Sequence, residues 1–311
     1  TPSSNTILTE ISDDLGTFKF SVTKPGAVLM TADGFHLNEI TGKLSQGRLL
    51  LKAVYNVTAD GQQHAFINIL THLAYKRTLT LLAQGMAVAD AIKQAETDVV
   101  TALQPVLPVS DVTDFTRLNV FDTDTSLANG NGYVLALSAT IYQYVMTQQL
   151  LDPGTTVDAT LAFFLNNLAD DIADNGAINS NSQIIVDLLA ATRLLRPDLI
   201  KQHLEDRSFD VTKAKLPVAN IDLFIDTDAD DLVNFVDTDD DNDGIPDVSD
   251  TRPYVYSEAP VLVKPDVTQP FPSKQEIVFE WTSSEYAINY ELQISKATDF
   301  SNPVVAATTT S

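Results

Sequence analysis

Between Asp226 and Asp250 one aspartate spacing occurs twice, and it constrains the folding of this chain more than any apolar pattern does. Asp226, Asp228, Asp230, Asn234 and Asp237 line up with Asp239, Asp241, Asp243, Asp247 and Asp250 at one fixed offset, each set reading D-x-D-x-D-x-x-x-[DN]-x-x-D. Oxygen ligands at alternate positions of a tight loop can surround one hard cation, and carboxylates further along can close that shell or begin the next. The spacing is a calcium-loop signature. No Lys or Arg lies between residues 216 and 251, so roughly half of the chain's net charge of -23 gathers there without an internal counter-ion. Like charges at contact repel by roughly 1 kcal/mol per pair in bulk water and by more near a protein surface. An ordered structure here needs bound cations.

A solvated acidic linker is the simpler fate of most runs of like charge. Against it stand the repetition and the matched uncharged residues, Leu232, Val233 and Phe235 in one copy and Ile245, Pro246 and Val248 in the next. Gly244 stands where a calcium loop turns sharply, and Ile245 follows where an apolar residue anchors it. In the first copy Asp231 replaces that glycine and must tolerate or avoid a left-handed backbone.

The run DTDDDNDGIPDVSDTRP resembles a thrombospondin type 3 repeat, whose bacterial versions commonly read D-x-D-x-D-G-I-P-D-x-x-D-N-C-P; the likeness spans residues 226–253. It implies that the aspartates wrap Ca2+ with little other core and form a stiff connector between domains. Thr251 and Arg252 stand where the family often has Asn and Cys, so no disulfide is implied. An EF-hand fits less well, because the bidentate Glu at its last position and the flanking amphipathic helices are missing. A dockerin would place a helix after each loop, whereas here the second loop runs into Pro253.

The flanking sequence divides by period. Residues 1–60 alternate as strands (TILTEIS, TFKFSV, AVLMTADG, GRLLLKAVYNV) separated by turn residues, which predicts hairpins of a small β-sandwich. ISDDLGTFKFSV followed by AVLMTADGF resembles the later strands of carboxypeptidase-regulatory-like or immunoglobulin-like surface modules, which implies a partial sandwich. Residues 61–215 turn helical, with an apolar face opening at Ala65 and helices expected at 88–103, 133–150, 157–173, 183–195 and 198–206. Breaks at Pro153, Gly154, Gly176 and Pro197 make this an all-α bundle with short connections. Its phrases resemble a helical domain found beside immunoglobulin-like modules in bacterial secreted lipoproteins and surface proteins. Residues 216–256 are the acidic connector. In residues 257–311, APVLVKP, EIVFEWTSS and NYELQISKATDF resemble strands A, B and C of a fibronectin type III domain, which implies a core Trp281 and an inward Tyr290. A full sandwich of that type takes seven strands. The resemblance therefore implies a partial domain whose open edge a neighbouring chain could complete.

The fold class expected is thus multidomain α and β: partial β-sandwich, α-helical bundle, calcium-binding connector and partial fibronectin-like sandwich. With no cysteine the chain has neither disulfides nor thiolate sites, and a pI near 4.2 argues against a nucleic-acid partner. No signal peptide and no run of eighteen apolar residues is present, so the chain is expected to be soluble, with any signal or anchor removed or outside it. No nucleophile elbow, P-loop or dinucleotide fingerprint occurs, and an enzyme is not expected. His64 and His72 fall two turns apart on the first expected helix, without HExxH, and read as neighbouring core or surface histidines. Asp170, Asp171 and Asp174 read as an acidic helix end capped by Gly176, Asp122 and Asp124 as a helix-entry turn, and Asn56-Val57-Thr58 as a formal glycosylation sequon. The expected role is that of a secreted or cell-surface calcium-binding structural or adhesion protein. A subunit of an extracellular filament or surface layer, and a non-catalytic part of a secreted hydrolase, are the alternatives.

Overall fold

The computed structural model describes residues 6–12, 16–22, 24–59, 63–108, 111–121, 127–178, 182–206, 218–256, 261–265, 277–282, 289–295 and 303–310. They fall into two compact units, residues 1–236 and 237–311. Among the described residues there are six α-helices and four two-stranded antiparallel sheets, a mixed α and β architecture in which no sheet closes into a barrel.

In the first unit β1 (Gly26–Gly34) pairs with β4 (Leu49–Val57), Met30 lying opposite Ala53, and the short β2 (Leu37–Asn38) and β3 (Lys43–Leu44) form the arm between them. The helices are α1 (Ile69–Ala83), α2 (Val88–Leu103), α3 (Ala128–Leu151), α4 (Val157–Asn175), α5 (Ser182–Thr192) and α6 (Pro197–Glu205). In α4, Leu161, Leu165, Leu168 and Ile172 recur at helical spacing and are all buried. Helix α3 is buried on nearly every side from Tyr133 to Tyr142, Ser138 alone being partly exposed. Val54 of β4 belongs to the same core as Leu73, Leu103, Ile141 and Leu165, so the β segment and the helices, which composition sets apart at residue 60, share one hydrophobic interior.

Two helix starts differ from the pattern. Apolar spacing opens at Ala65, but the helix begins after Asn68. That side chain accepts the Thr71 N–H at 3.0 Å, Thr71 Oγ1 accepts the Asn68 N–H at 2.9 Å, and the Asn68 amide also donates to the Phe115 and Leu118 carbonyls. Conversely α3 begins at Ala128, ahead of the expected Tyr133, and runs through Gly130 and Gly132. A Cβ on Gly130 would lie 2.5 Å from Leu118, and one on Gly132 would lie 2.4 Å from the Asn220 carbonyl. These glycines serve close approach, which outweighs their helix cost of about 1 kcal/mol.

At the far end of the bundle Arg77 Nε donates to Asp98 at 2.8 Å, and its Nη1 donates to the Asp174 carbonyl at the end of α4. Gly176 closes α4 at φ +82°, with Asp98 where its Cβ would be. The cluster of Asp170, Asp171 and Asp174 is therefore the glycine-capped helix end expected, with Asp170 paired to Lys76.

The strands expected over TILTEIS and TFKFSV do not form. Among their described residues the Ser12 N–H bonds to the Thr17 carbonyl and Thr9 Oγ1 bonds to the Lys19 carbonyl, but no ladder develops, and Leu8 is 92 % exposed. Alternation supplies an apolar face, and without a sheet to cover it that face stays in water. In the second unit β5 (Leu262–Lys264) pairs with β6 (Glu280–Trp281), and β7 (Asn289–Ser295) pairs with β8 (Pro303–Thr310). Trp281 and Tyr290 meet at 5.7 Å between ring centroids.

Glu96 of α2 is buried and accepts the N–H groups of Asp114 and Phe115, both at 2.9 Å. Burial raises its carboxyl to about 7, and those two hydrogen bonds only partly oppose the shift. A pKa above the unfolded value favours folding fully below about pH 4.5, and this contribution is lost as the pH rises through about 7. Relative to wild type, Glu96→Gln is therefore expected to gain roughly 2 to 4 kcal/mol in stability between pH 4.5 and pH 8. Urea unfolding of both proteins across that range measures the difference. A pH-independent gap would show that Glu96 is not held neutral.

Candidate metal centre

The two aspartate loops fold as copies of one backbone. Asp228 Oδ1 accepts the Asp230 N–H at 3.0 Å and Asp230 Oδ1 accepts the Leu232 N–H at 2.8 Å; in the second loop Asp241 Oδ1 accepts from Asp243 at 3.2 Å and Asp243 Oδ1 from Ile245 at 2.8 Å. Asn234 Oδ1 takes the Thr227 N–H as Asp247 Oδ1 takes that of Asp240. The backbone N–H of Asn234 reaches the Ile225 carbonyl, and that of Asp247 reaches the Thr238 carbonyl. Each is an aspartate or asparagine side chain closing a local turn on a nearby backbone group.

The conformational cost is also repeated. Ala229 and Asn242 sit at φ +69° and +54°, and Asp231 and Gly244 at +77° and +89°. Asp231 thus adopts the left-handed backbone that its position requires. For an L-residue this costs about 1–2 kcal/mol, which Gly244 avoids.

These turns bring together one carboxylate oxygen from each of Asp226, Asp228 and Asp230, and one from each of Asp239, Asp241 and Asp243, every set lying within 4.8 Å of one another. At that separation each pair of charges repels by about 1 kcal/mol in bulk water and about 3 kcal/mol at an effective dielectric of 20.

The loops differ in what their oxygens face. In the second loop Asp239 Oδ1, Asp241 Oδ2, Asp243 Oδ2 and Asp250 Oδ2 are buried with no hydrogen-bond partner, and Asp241 is only 5 % exposed. Burial, with the charges of Asp243 and Asp250 beside it, pushes the Asp241 carboxyl up to about 6. In the first loop Asp226 spends both oxygens on backbone N–H groups, of Ala229 at 2.7 Å and Asp231 at 3.2 Å, and Asp230 is exposed. Asp237 turns Oδ1 to the N–H of Asp239 at 3.1 Å, so it frames the entry to the second loop.

Four orphaned carboxylate oxygens in a loop without imidazole or thiolate fit a hard cation that binds oxygen, and a dication there reverses the repulsion that otherwise opposes the fold. Calcium takes six to eight such ligands at about 2.3–2.6 Å. In the second loop Asp239, Asp241, Asp243 and Asp250 would hold it. In the first, Asp226, Asp228 and Asp230 would have to exchange backbone hydrogen bonds for ligation.

Two features were not legible in the loop pattern. Ile245, expected to anchor the second loop, is 45 % exposed, and ahead of the first loop apolar residues do enter a core. Ile221, Phe224 and Ile225 enter the helical core, Phe224 meets the Tyr133 ring edge-on at 5.6 Å, and the Ala219 N–H bonds to the Val120 carbonyl. The apolar phrase AxIDLFI, preceding the first aspartate of the repeat, was the available signal.

The remaining candidates do not assemble. His72 is fully buried on α1, its Nδ1 accepting the Lys52 N–H at 3.2 Å, whereas His64 lies before the helix and is exposed; the two do not share it. Burial together with Lys52 and Lys76 lowers the His72 pKa to about 4, consistent with a neutral core histidine. Asp122 and Asp124 lie outside the described residues. Among the described residues no helix is long and apolar enough to cross a membrane. Comparison of the chain with protein-family models, with curated proteins and with solved structures finds no match.

The left-handed positions give a paired prediction. A Cβ at Gly244 would meet nothing within 4 Å, so Gly244→Ala tests backbone strain alone. It is expected to weaken calcium binding about tenfold, and Asp231→Gly, which relieves the same strain in the first loop, to strengthen binding there several-fold. Calorimetric titration of each variant measures both.

Proposed function

We propose that this chain is an extracellular structural or adhesion-type protein in which calcium stiffens the connector of residues 226–250. The observation that carries this reading is the set of four buried, unpartnered carboxylate oxygens in the second loop, an arrangement that costs free energy unless a cation is bound. The likeness of the same residues to thrombospondin type 3 repeats supports it, as does the matching backbone of the first loop. Millimolar calcium is an extracellular condition, and loops of this kind bind in the range of about 10⁻⁴–10⁻³ M there. The secreted or cell-surface location belongs to the same proposal.

On this reading the chain preceding the connector supplies an α-helical bundle with a β-hairpin in its core, and the chain following it supplies part of a fibronectin type III-like sandwich. The contact of Trp281 with Tyr290 across two short hairpins supports the last assignment. The open sheet edges suit self-association or a surface protein partner. Calcium works mechanically: it draws the aspartates in, shortens the connector and removes its backbone from the reach of proteases. The protein needs no catalytic residue for this.

Limited proteolysis with a protease that cuts at acidic or apolar residues provides the test. Cleavage between residues 216 and 253 is expected to be slow in calcium and at least about tenfold faster after chelation, because cleavage follows the population of the open loop. Equal rates in the two conditions would rule out the calcium-stiffened connector.

A further inference from the structure

We infer that cation occupancy of the second loop is coupled, through Asp250, to the fold of the strap that leaves it, residues 252–256. This rests on the calcium reading above and adds a regulated element to it. Asp250 faces two ways. Its Oδ1 accepts the Arg252 N–H at 2.8 Å, while its Oδ2 is buried without a hydrogen-bond partner and bears electrostatically on Asp241. One side chain thus joins the ligand cluster to the first residue of the strap.

Further bonds continue the link. The Val255 N–H donates to the Arg252 carbonyl at 3.0 Å and also lies against the Asp241 carboxylate. The Asp250 N–H is fixed to the Pro246 carbonyl at 3.0 Å. Arg252, Pro253, Tyr254 and Val255 are all partly buried, although no strand or helix includes them. The strap is thus attached to the loop through the Arg252 and Val255 amides.

The register of the repeat explains why the strap begins where it does. Asp237 Oδ1 accepts the N–H of Asp239, the residue that opens the second loop, just as Asp250 Oδ1 accepts that of Arg252. Arg252 occupies the position at which a third loop would open, and it is the sole basic residue between residues 216 and 263. The fold repeats the entry turn with a cation in place of a ligand, so the series ends there and the chain turns back onto the second loop.

The coupling follows from charge. With a dication bound, Asp241, Asp243 and Asp250 are drawn together, and Oδ1 of Asp250 stays in place to hold the strap. Without it the three carboxylates repel, and Asp250, the last of them in the chain, moves away with the N–H it carries. Calcium then orders the exit from the connector as well as the connector itself.

Residue-resolved amide hydrogen exchange on the whole chain, with saturating calcium chloride and with EDTA, tests this alongside calorimetric titration with calcium. Exchange at Arg252 and Val255 is expected to slow at least about tenfold in calcium. In Asp250→Asn the amide oxygen can still accept the Arg252 N–H, but the NH2 group cannot ligate. Exchange at both amides should then no longer respond to calcium, even where the loop is saturated. If wild type binds calcium while exchange at Arg252 and Val255 is unchanged, or if Asp250→Asn responds as wild type does, the coupling is wrong and the calcium reading stands. If wild type takes up no calcium, the calcium reading fails and the coupling fails with it.

Discussion

The carboxylate that turns back to accept a backbone N–H two residues on is the interaction from which the connector is built. Asp228, Asp230, Asp241, Asp243 and Asp250 each make this bond. One oxygen of each is thereby fixed to the main chain, and the other is left to point wherever the turn directs it. Successive turns at alternate residues aim those second oxygens at a common point. A segment with no strand, helix or apolar interior can be ordered in this way, provided that a cation offsets the repulsion which the convergence creates.

The same device explains why two loops of one backbone differ in chemistry. In the second, glycine at position 244 takes the left-handed turn without strain and Asp239 keeps an oxygen free. In the first, the Asp231 N–H goes to Asp226 as the Gly244 N–H goes to Asp239 Oδ2, but the other oxygen of Asp226 is held by the Ala229 N–H. In the first loop Asp226 therefore has both oxygens on backbone N–H groups and Asp230 is exposed, whereas in the second one oxygen of each of Asp239, Asp241, Asp243 and Asp250 is buried without a hydrogen bond. Desolvation makes the difference: an unpaired carboxylate is tolerable at the surface and costly inside.

Attachment of the connector to the helical unit depends on a different physical term. Gly132 lets the chain at Asn220 and Phe224 lie directly on α3, Gly130 makes room for Leu118, and Ile221, Phe224 and Ile225 belong to the helical core. The first loop thus grows from a packed core, with the Asn234 N–H returning to the Ile225 carbonyl.

The sequence by itself determined the aspartate register, the helical character of the region given as residues 61–215 and the glycine-capped end of α4, because each is a local pattern with a local cause: carboxylate spacing, 3.6-residue periodicity and a left-handed cap. Tertiary structure alone decided the rest. It decided that Gly130 and Gly132 are contact surfaces inside a helix, that Asn68 rather than Ala65 starts α1, and that the alternating residues of TILTEIS and TFKFSV gain no ladder. It also decided which carboxylate oxygens are buried. Each of these outcomes depends on what lies opposite a residue in space, a neighbour many positions away in the chain, and no local pattern records that neighbour.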